Sequence, residues 1–153
     1  MNRSKILLVG ATLAAGITTP AALADQERFA MTHPTWNEEC GSCHVAYPPQ
    51  LLPAASWEAL LGDLGNHFGS DASLDPATAA ELLAYARMHA SARTAAGEPT
   101  LRITRTRWFL HEHDEIGPAT WQRPAIGSPA NCAACHRGAD SGDYSERRIK
   151  IPR

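Results

Sequence analysis

The pentapeptide pattern Cys-x-x-Cys-His occurs twice in this chain, as Cys40-Gly41-Ser42-Cys43-His44 and as Cys132-Ala133-Ala134-Cys135-His136. It is the attachment pattern for c-type haem. The spacing has a physical reason. One helical turn carries the two thiols to the two vinyl-bearing edges of a porphyrin, and the next residue points an imidazole at the centre. Together the two copies use all 4 cysteines of the sequence. None is left for a structural disulfide, so the remainder of the chain must fold around two covalent cofactors.

Other uses of four cysteines leave the histidines unexplained. Two disulfides in an exported chain, one zinc ion held by four thiolates or two redox dithiols would each need only the thiols. His makes up 7 of 153 residues, so its recurrence after both pairs by chance has odds of roughly one in several hundred.

The N-terminus points to export. Arg3 and Lys5 precede an apolar run from Ile6 to Ile17, and Ala22-Leu23-Ala24 offers small residues for cleavage. Residues 1–24 read as a secretory signal peptide removed after Ala24. The apolar run is short for a membrane span, and no later stretch could cross a bilayer. A soluble, monomeric periplasmic protein is therefore expected. The leader holds two of the 14 Lys+Arg and none of the 16 Asp+Glu, which leaves the mature chain acidic at a net charge of −4. A nucleic-acid partner would need the opposite balance. With only 3 Phe, 3 Tyr and 4 Trp, the chain depends on the porphyrins for much of its apolar core.

The expected fold is mostly α: two small haem-wrapped helical units, loop-rich, with no significant sheet. Thr35 caps a helix leading into the first motif, and Tyr47-Pro48-Pro49 starts an extended segment. Ser56 caps a second helix whose apolar stripe, Trp57, Leu60, Leu61, Leu64 and Phe68, also carries His67. Asp75-Pro76 starts a third, running to about Thr94. Its buried face holds Ala79, Leu82, Leu83, Ala86 and Ala90. The boundary between units falls in the turn Gly97 to Thr100, which gives a first unit over 25–97 and a second over 98–153. There Thr106 caps a helix through Ile116, with Phe109, Leu110 and His113 on one face. Ser128-Pro129 starts the helix that carries the second motif.

The sixth ligand of each iron decides function. His44 and His136 supply one side. His or Met opposite gives a low-spin electron carrier, with His the lower-potential choice, whereas an open position admits ligands or peroxide. Five histidines remain: His33, His67, His89, His111 and His113. His67 and His113 lie on apolar helix faces. His89, aligned with Leu82 and Ala86, competes with them. His111 reads as a surface neighbour, and Met88 is a further alternative whose simpler role is helix packing. Arg102, Arg105 and Arg107, with Arg147, Arg148 and Lys150, could form a docking surface, pair with propionates, or be scattered solvated charge.

From Glu39 to Pro152 the sequence resembles the dihaem cytochrome c family, the small periplasmic bis-histidine proteins of proteobacteria. The resemblance is carried by Glu39 to His44 with Ala46-Tyr47-Pro48-Pro49, by His67-Phe68-Gly69, and by Trp108-Phe109 with His113-Asp114-Glu115-Ile116. It closes on Asn131 to His136, Gly142-Asp143-Tyr144 and Ile149 to Pro152. It implies two haem c groups attached through Cys40, Cys43, Cys132 and Cys135. It implies iron ligation by His44 and His67 in the first unit and by His113 and His136 in the second. It also implies electron transfer from a membrane b-type cytochrome to a soluble oxygen-binding haem protein. A small dihaem peroxidase with one open iron is the competing enzyme reading, although the chain is short for that family's two larger domains.

Overall fold

The computed structural model describes residues 28–93 and 99–153. The expected leader, Thr94 and the Gly97 side of the expected boundary lie outside the described residues. The architecture is helical and loop-rich. Among the described residues, single 3-10 turns separate the first four of five α-helices, three more follow the fifth, and pairing of extended chain is limited to isolated bridges.

Helix α1 spans Pro34–Gly41 and ends inside the first Cys-x-x-Cys-His. Its cap is His33 rather than Thr35: Pro34 takes the first helical position, and the Trp36 amide donates to His33 Nδ1 at 3.2 Å. Pro at that position loses nothing, because its missing N–H would be unpaired there anyway. After Tyr47 the chain makes a 3-10 turn over Pro49–Leu51 instead of staying extended. Helix α2, Ala54–Leu61, then starts from Pro53, and Ser56 lies buried within it rather than capping it.

The helix does not reach His67. It stops at Leu61 with Gly62 as its C-cap, and a separate 3-10 turn covers Leu64–Asn66. Gly62 and Gly65 each cost roughly 1 kcal/mol of helix propensity, and the apolar stripe beyond them does not offset two such losses. Helix α3, Pro76–His89, is capped by Asp75, whose carboxylate accepts from the amides of Ala77 and Thr78. It buries Leu82, Tyr85 and Ala86. Met88 faces solvent at 79% exposure, which removes it both as core packing and as a ligand.

The main core lies where α2 and α3 pack under α1 and joins Trp36, Leu52, Trp57, Leu60, Leu82, Tyr85 and Ala86. Trp36 and Trp57 meet edge to face at 5.2 Å. Their indole N–H groups donate to the carbonyls of Tyr47 (3.1 Å) and Pro49 (2.7 Å). These bonds fix the chain leaving the first motif, where prolines cannot anchor it by donating themselves.

Helix α4, Arg107–Glu112, is capped as expected, with the Phe109 amide donating to Thr106 Oγ1 at 3.1 Å. It ends at Glu112 rather than Ile116, and His113 is its C-cap. Glu112, Asp114 and Glu115 would place negative charge at the negative end of a longer helix. Leu110 is exposed and leaves the expected apolar face. Gly117-Pro118 does more than stop a helix: it opens the single-turn α5, Pro118–Trp121.

The second motif is not on an α-helix. Ser128 Oγ accepts from the Ala130 amide, Asn131 Nδ2 donates to the Ile126 carbonyl, and Cys132–Ala134 form a 3-10 turn. A bond of 2.8 Å from the His136 amide to the Cys132 carbonyl completes one α-like turn, enough to set the motif's geometry. The C-terminal segment folds back on it, with the Lys150 amide donating to the Cys135 carbonyl at 3.0 Å.

Asp143 ties the two ends of the described chain together. Its carboxylate accepts from Ser145 Oγ (2.6 Å) and the Ser145 amide, and it pairs with Arg148 (2.7 Å) and Arg28 (3.3 Å). The Ser145 hydroxyl first, then Arg148, hold this carboxyl far below the usual carboxylate range. A depressed native pKa stabilises the fold above the unfolded-state value of about 4 and stops doing so as pH falls through the native value. Asp143→Asn should therefore lower the melting temperature at neutral pH. Thermal melts across the acid range should show the gap to the unaltered protein closing below about pH 4; a gap independent of pH would contradict this account.

Candidate haem sites

Two cavities account for the motifs. The first, about 520 Å3, is lined by Cys40, Cys43, His44 and His67 together with Trp57, Leu60 and Phe68. The second, about 750 Å3, is lined by Cys132, Cys135, His136 and His113 with Phe109, Trp121 and Tyr144. Both open to solvent, so without an occupant their apolar walls, such as Trp57, Leu60 and Phe68 in the first and Phe109, Trp121 and Ile126 in the second, would face water. The second half has little else to hold it, since its buried apolar side chains are Phe109, Ile126, Ala139 and Tyr144. The cavities are therefore places for a filling group.

In each cavity two imidazoles face one another. The ring centroids of His44 and His67 are 6.2 Å apart, and those of His113 and His136 are 6.1 Å apart. One metal ion held by two imidazole nitrogens at about 2 Å each, with roughly 1 Å more from each nitrogen to its ring centre, requires about 6 Å. One ring of each pair also has its tautomer set. His44 Nδ1 lies 2.7 Å from the Val45 carbonyl, and His113 Nδ1 lies 3.0 Å from the Phe109 carbonyl. An Nδ1–H donating there leaves the Nε2 lone pair free for a metal. Burial, with the facing histidine second, pushes the pKa of His67 and of His136 down, which favours the neutral form a metal requires.

His67 reaches its place on a two-residue turn. Its amide and carbonyl pair with Ser70 at 2.8 and 3.1 Å, while Phe68 and Gly69 both have positive φ, +53° and +95°. A left-handed aromatic residue is strained by about 1–2 kcal/mol. Arg102 covers the Phe68 ring, its guanidinium carbon 4.0 Å from the centroid. His113 is placed by Phe109, whose ring stacks on it at 4.0 Å and 17°.

The remaining candidates fall away from the cavities. His33 caps α1 and has its Nε2 3.3 Å from Glu81. His89 packs its ring on Tyr85 at 4.7 Å, and His111 is exposed. Neither cavity is lined by a methionine. Of the expected basic surface, Arg148 is spent on Asp143 and Arg102 on Phe68.

Burial raises the Cys40 and Cys132 thiols to about 11, which disfavours the thiolates that a zinc site or a redox dithiol would use. No two of the four cysteines are joined as a disulfide, and among the described residues no three His, Cys, Asp or Glu side chains gather as a metal cluster. This is the opposite of a four-thiolate zinc site.

The profile of the dihaem cytochrome c family matches residues 36–144. The chain belongs to that family. It is thus a dihaem cytochrome c, an electron-transfer protein with two covalently bound haem c groups. The solved diheme cytochrome c from Rhodobacter sphaeroides shares 41% identity over 76% of this chain and 99% of its own, with a TM-score of 0.68. A second structure from that organism shares 43% identity over 76% and 100%, also at 0.68. The diheme cytochrome c of Shewanella baltica shares 39% over 78% and 92%, at 0.70. No curated protein matches this dihaem cytochrome at a significant level. The fold, mostly helical and without a sheet among the described residues, agrees with these relatives.

Sequence reasoning did not assign a role to Tyr47, Trp121 or Tyr144, all of which line the cavities. Tyr47 and Tyr144 sit inside the segments that carry the family resemblance, which was the available signal. Each packs on the motif histidine near it in sequence, while the hydroxyl of Tyr47 reaches Ala130, 83 residues away.

The two cavities share a wall: Cys132 and Ile103 line both. Each cavity also draws on the other half of the chain. Leu51 and Arg93 reach the second, and Leu101 to Thr104 with Ala130 reach the first.

Proposed function

We propose that this dihaem cytochrome is a periplasmic, low-potential, bis-histidine electron carrier. Residues 1–24 are its cleaved leader, and the mature monomer comprises haem units over 25–97 and 98–153. Cys40 and Cys43 bind one haem and Cys132 and Cys135 the other. His44 with His67, and His113 with His136, would hold the two irons. The observation that carries this reading is the facing of two imidazoles about 6 Å apart in each cavity, the spacing one six-coordinate iron needs.

When bound, each haem supplies a one-electron change at its iron. The chain's own residues do the rest. The Val45 and Phe109 carbonyls hold His44 and His113 with Nε2 presented, and the aromatic walls keep water from the ring faces. Two histidines per iron, with no methionine on either cavity wall, favour a low potential. No α-helix among the described residues is long and apolar enough to cross a membrane. The membrane b-type cytochrome as donor and a soluble oxygen-binding haem protein as acceptor rest on the family resemblance. No observation favours the peroxidase alternative.

Spectropotentiometric titration of the purified protein tests the reading. Both haems should stay low-spin in both oxidation states, with two one-electron steps at negative potential and no carbon monoxide binding. A high-spin ferric haem in the unaltered protein, or turnover of hydrogen peroxide, would overturn it.

A further inference from the structure

The shared wall between the cavities has an internal order. Tyr47 stacks its ring on His44 at 4.7 Å and 21° and donates its hydroxyl to the Ala130 carbonyl at 2.6 Å. Ala130 lies two residues before Cys132, which lines both cavities. On the far side, Tyr144 packs its ring on His136 at 5.2 Å and 48°. Its hydroxyl is buried without a hydrogen-bond partner. Each motif histidine therefore has one tyrosine against it, and the two tyrosines flank one cysteine.

We infer that Tyr47 and Tyr144 are positioning residues for electron exchange between the haems. Tyr47 sets the plane of His44 and clamps the segment carrying Cys132 against the first site, while Tyr144 backs His136 on the other side.

The inference rests on the ligation proposed above. In the exchange one electron leaves one iron and enters the other, and the tyrosines neither lose nor gain an electron. Tyr47 keeps its proton on the bond to Ala130. A short bond to a main-chain carbonyl is what a clamp needs. It spans 83 residues of sequence, and it is made by a ring that already rests on a motif histidine.

The test uses the full dihaem protein with Tyr47→Phe, Tyr47→Leu and Tyr144→Leu. Exchange between the haems is read from NMR exchange broadening in half-reduced samples, and the ligand plane of each haem from its EPR g-values. Tyr47→Phe keeps the stack and loses the clamp, so the exchange rate should fall several-fold with the first haem's g-values unchanged. Tyr47→Leu should lower the rate further and shift those g-values. Tyr144→Leu removes the ring from His136 and should lower the rate and shift the second haem's g-values instead. An unchanged rate in Tyr47→Phe, with both haems low-spin, overturns the inference even if the melting temperature drops. If Tyr47→Leu fails to load haem, Tyr47→Phe alone decides. Failure of the ligation itself would show separately, as a high-spin haem in the unaltered protein.

Discussion

Replacing His113 with alanine is expected to turn the second haem high-spin and carbon-monoxide-binding while the first stays low-spin; His67→Ala should do the reverse. Each variant thus loses one of two low-spin signals in full, because a lone axial histidine leaves the iron's sixth position open. The partition follows from separate walls. His67 and His44 face only the first cavity, His113 and His136 only the second. No neighbouring histidine can substitute. His111 is exposed, and His89 is held on Tyr85. His111→Ala and His89→Ala should leave both haems low-spin. Absorption and EPR spectra of the four variants check this, and a high-spin haem in His111→Ala would move the distal assignment two residues upstream.

The largest effect on stability is expected at Gly142. Its φ is +75°, and an added Cβ would run into the Phe29 carbonyl and the Met31 side chain. The Phe29 amide also donates to the Gly142 carbonyl, so the two chains cannot separate without losing that bond. Backbone strain and overpacking together should make Gly142→Ala cost roughly 3 kcal/mol. That corresponds to a drop of roughly 10 °C in melting temperature for a chain of this length. Gly41→Ala is the matched control. It meets nothing within 4 Å, and the second motif carries Ala133 at the same position. Equal melting temperatures for the two variants would contradict the account.

The proposed ligand pairs can be read from the sequence because they rest on residue type. Cys-x-x-Cys-His is a local pattern, and His67 and His113 stand out by their apolar neighbours. Yet a helix face is not what places them. His67 sits on a two-residue turn and His113 ends a helix, so periodicity points at residues that line the cavities through elements that stop short. Gly62, Gly65 and the run of acidic residues after Leu110 hold the information about those stops. Caps follow the same division. Asp75 and Thr106 act as their type predicts, whereas His33 takes over from Thr35 because Pro34 fixes the first turn one residue earlier. The shared wall is not legible at all. It depends on Tyr47 meeting Ala130 and on Cys132 serving two cavities, which are contacts that no local pattern encodes.

The thin core of the second half implies something about how this protein comes to be folded. With His113 as distal ligand, the chain from His113 to Cys135 is closed at both ends on one group, and so is the chain from Cys40 to His67. Small exported proteins commonly close such loops with disulfides, which act by removing conformations from the unfolded chain. Here the same four cysteines make the closures through the porphyrins, which also fill the space between the closed segments. The apo chain therefore has neither cross-links nor, in its second half, much to pack. In that half haem ligation meets a largely unfolded substrate, and the native state becomes available only after its thioethers have formed.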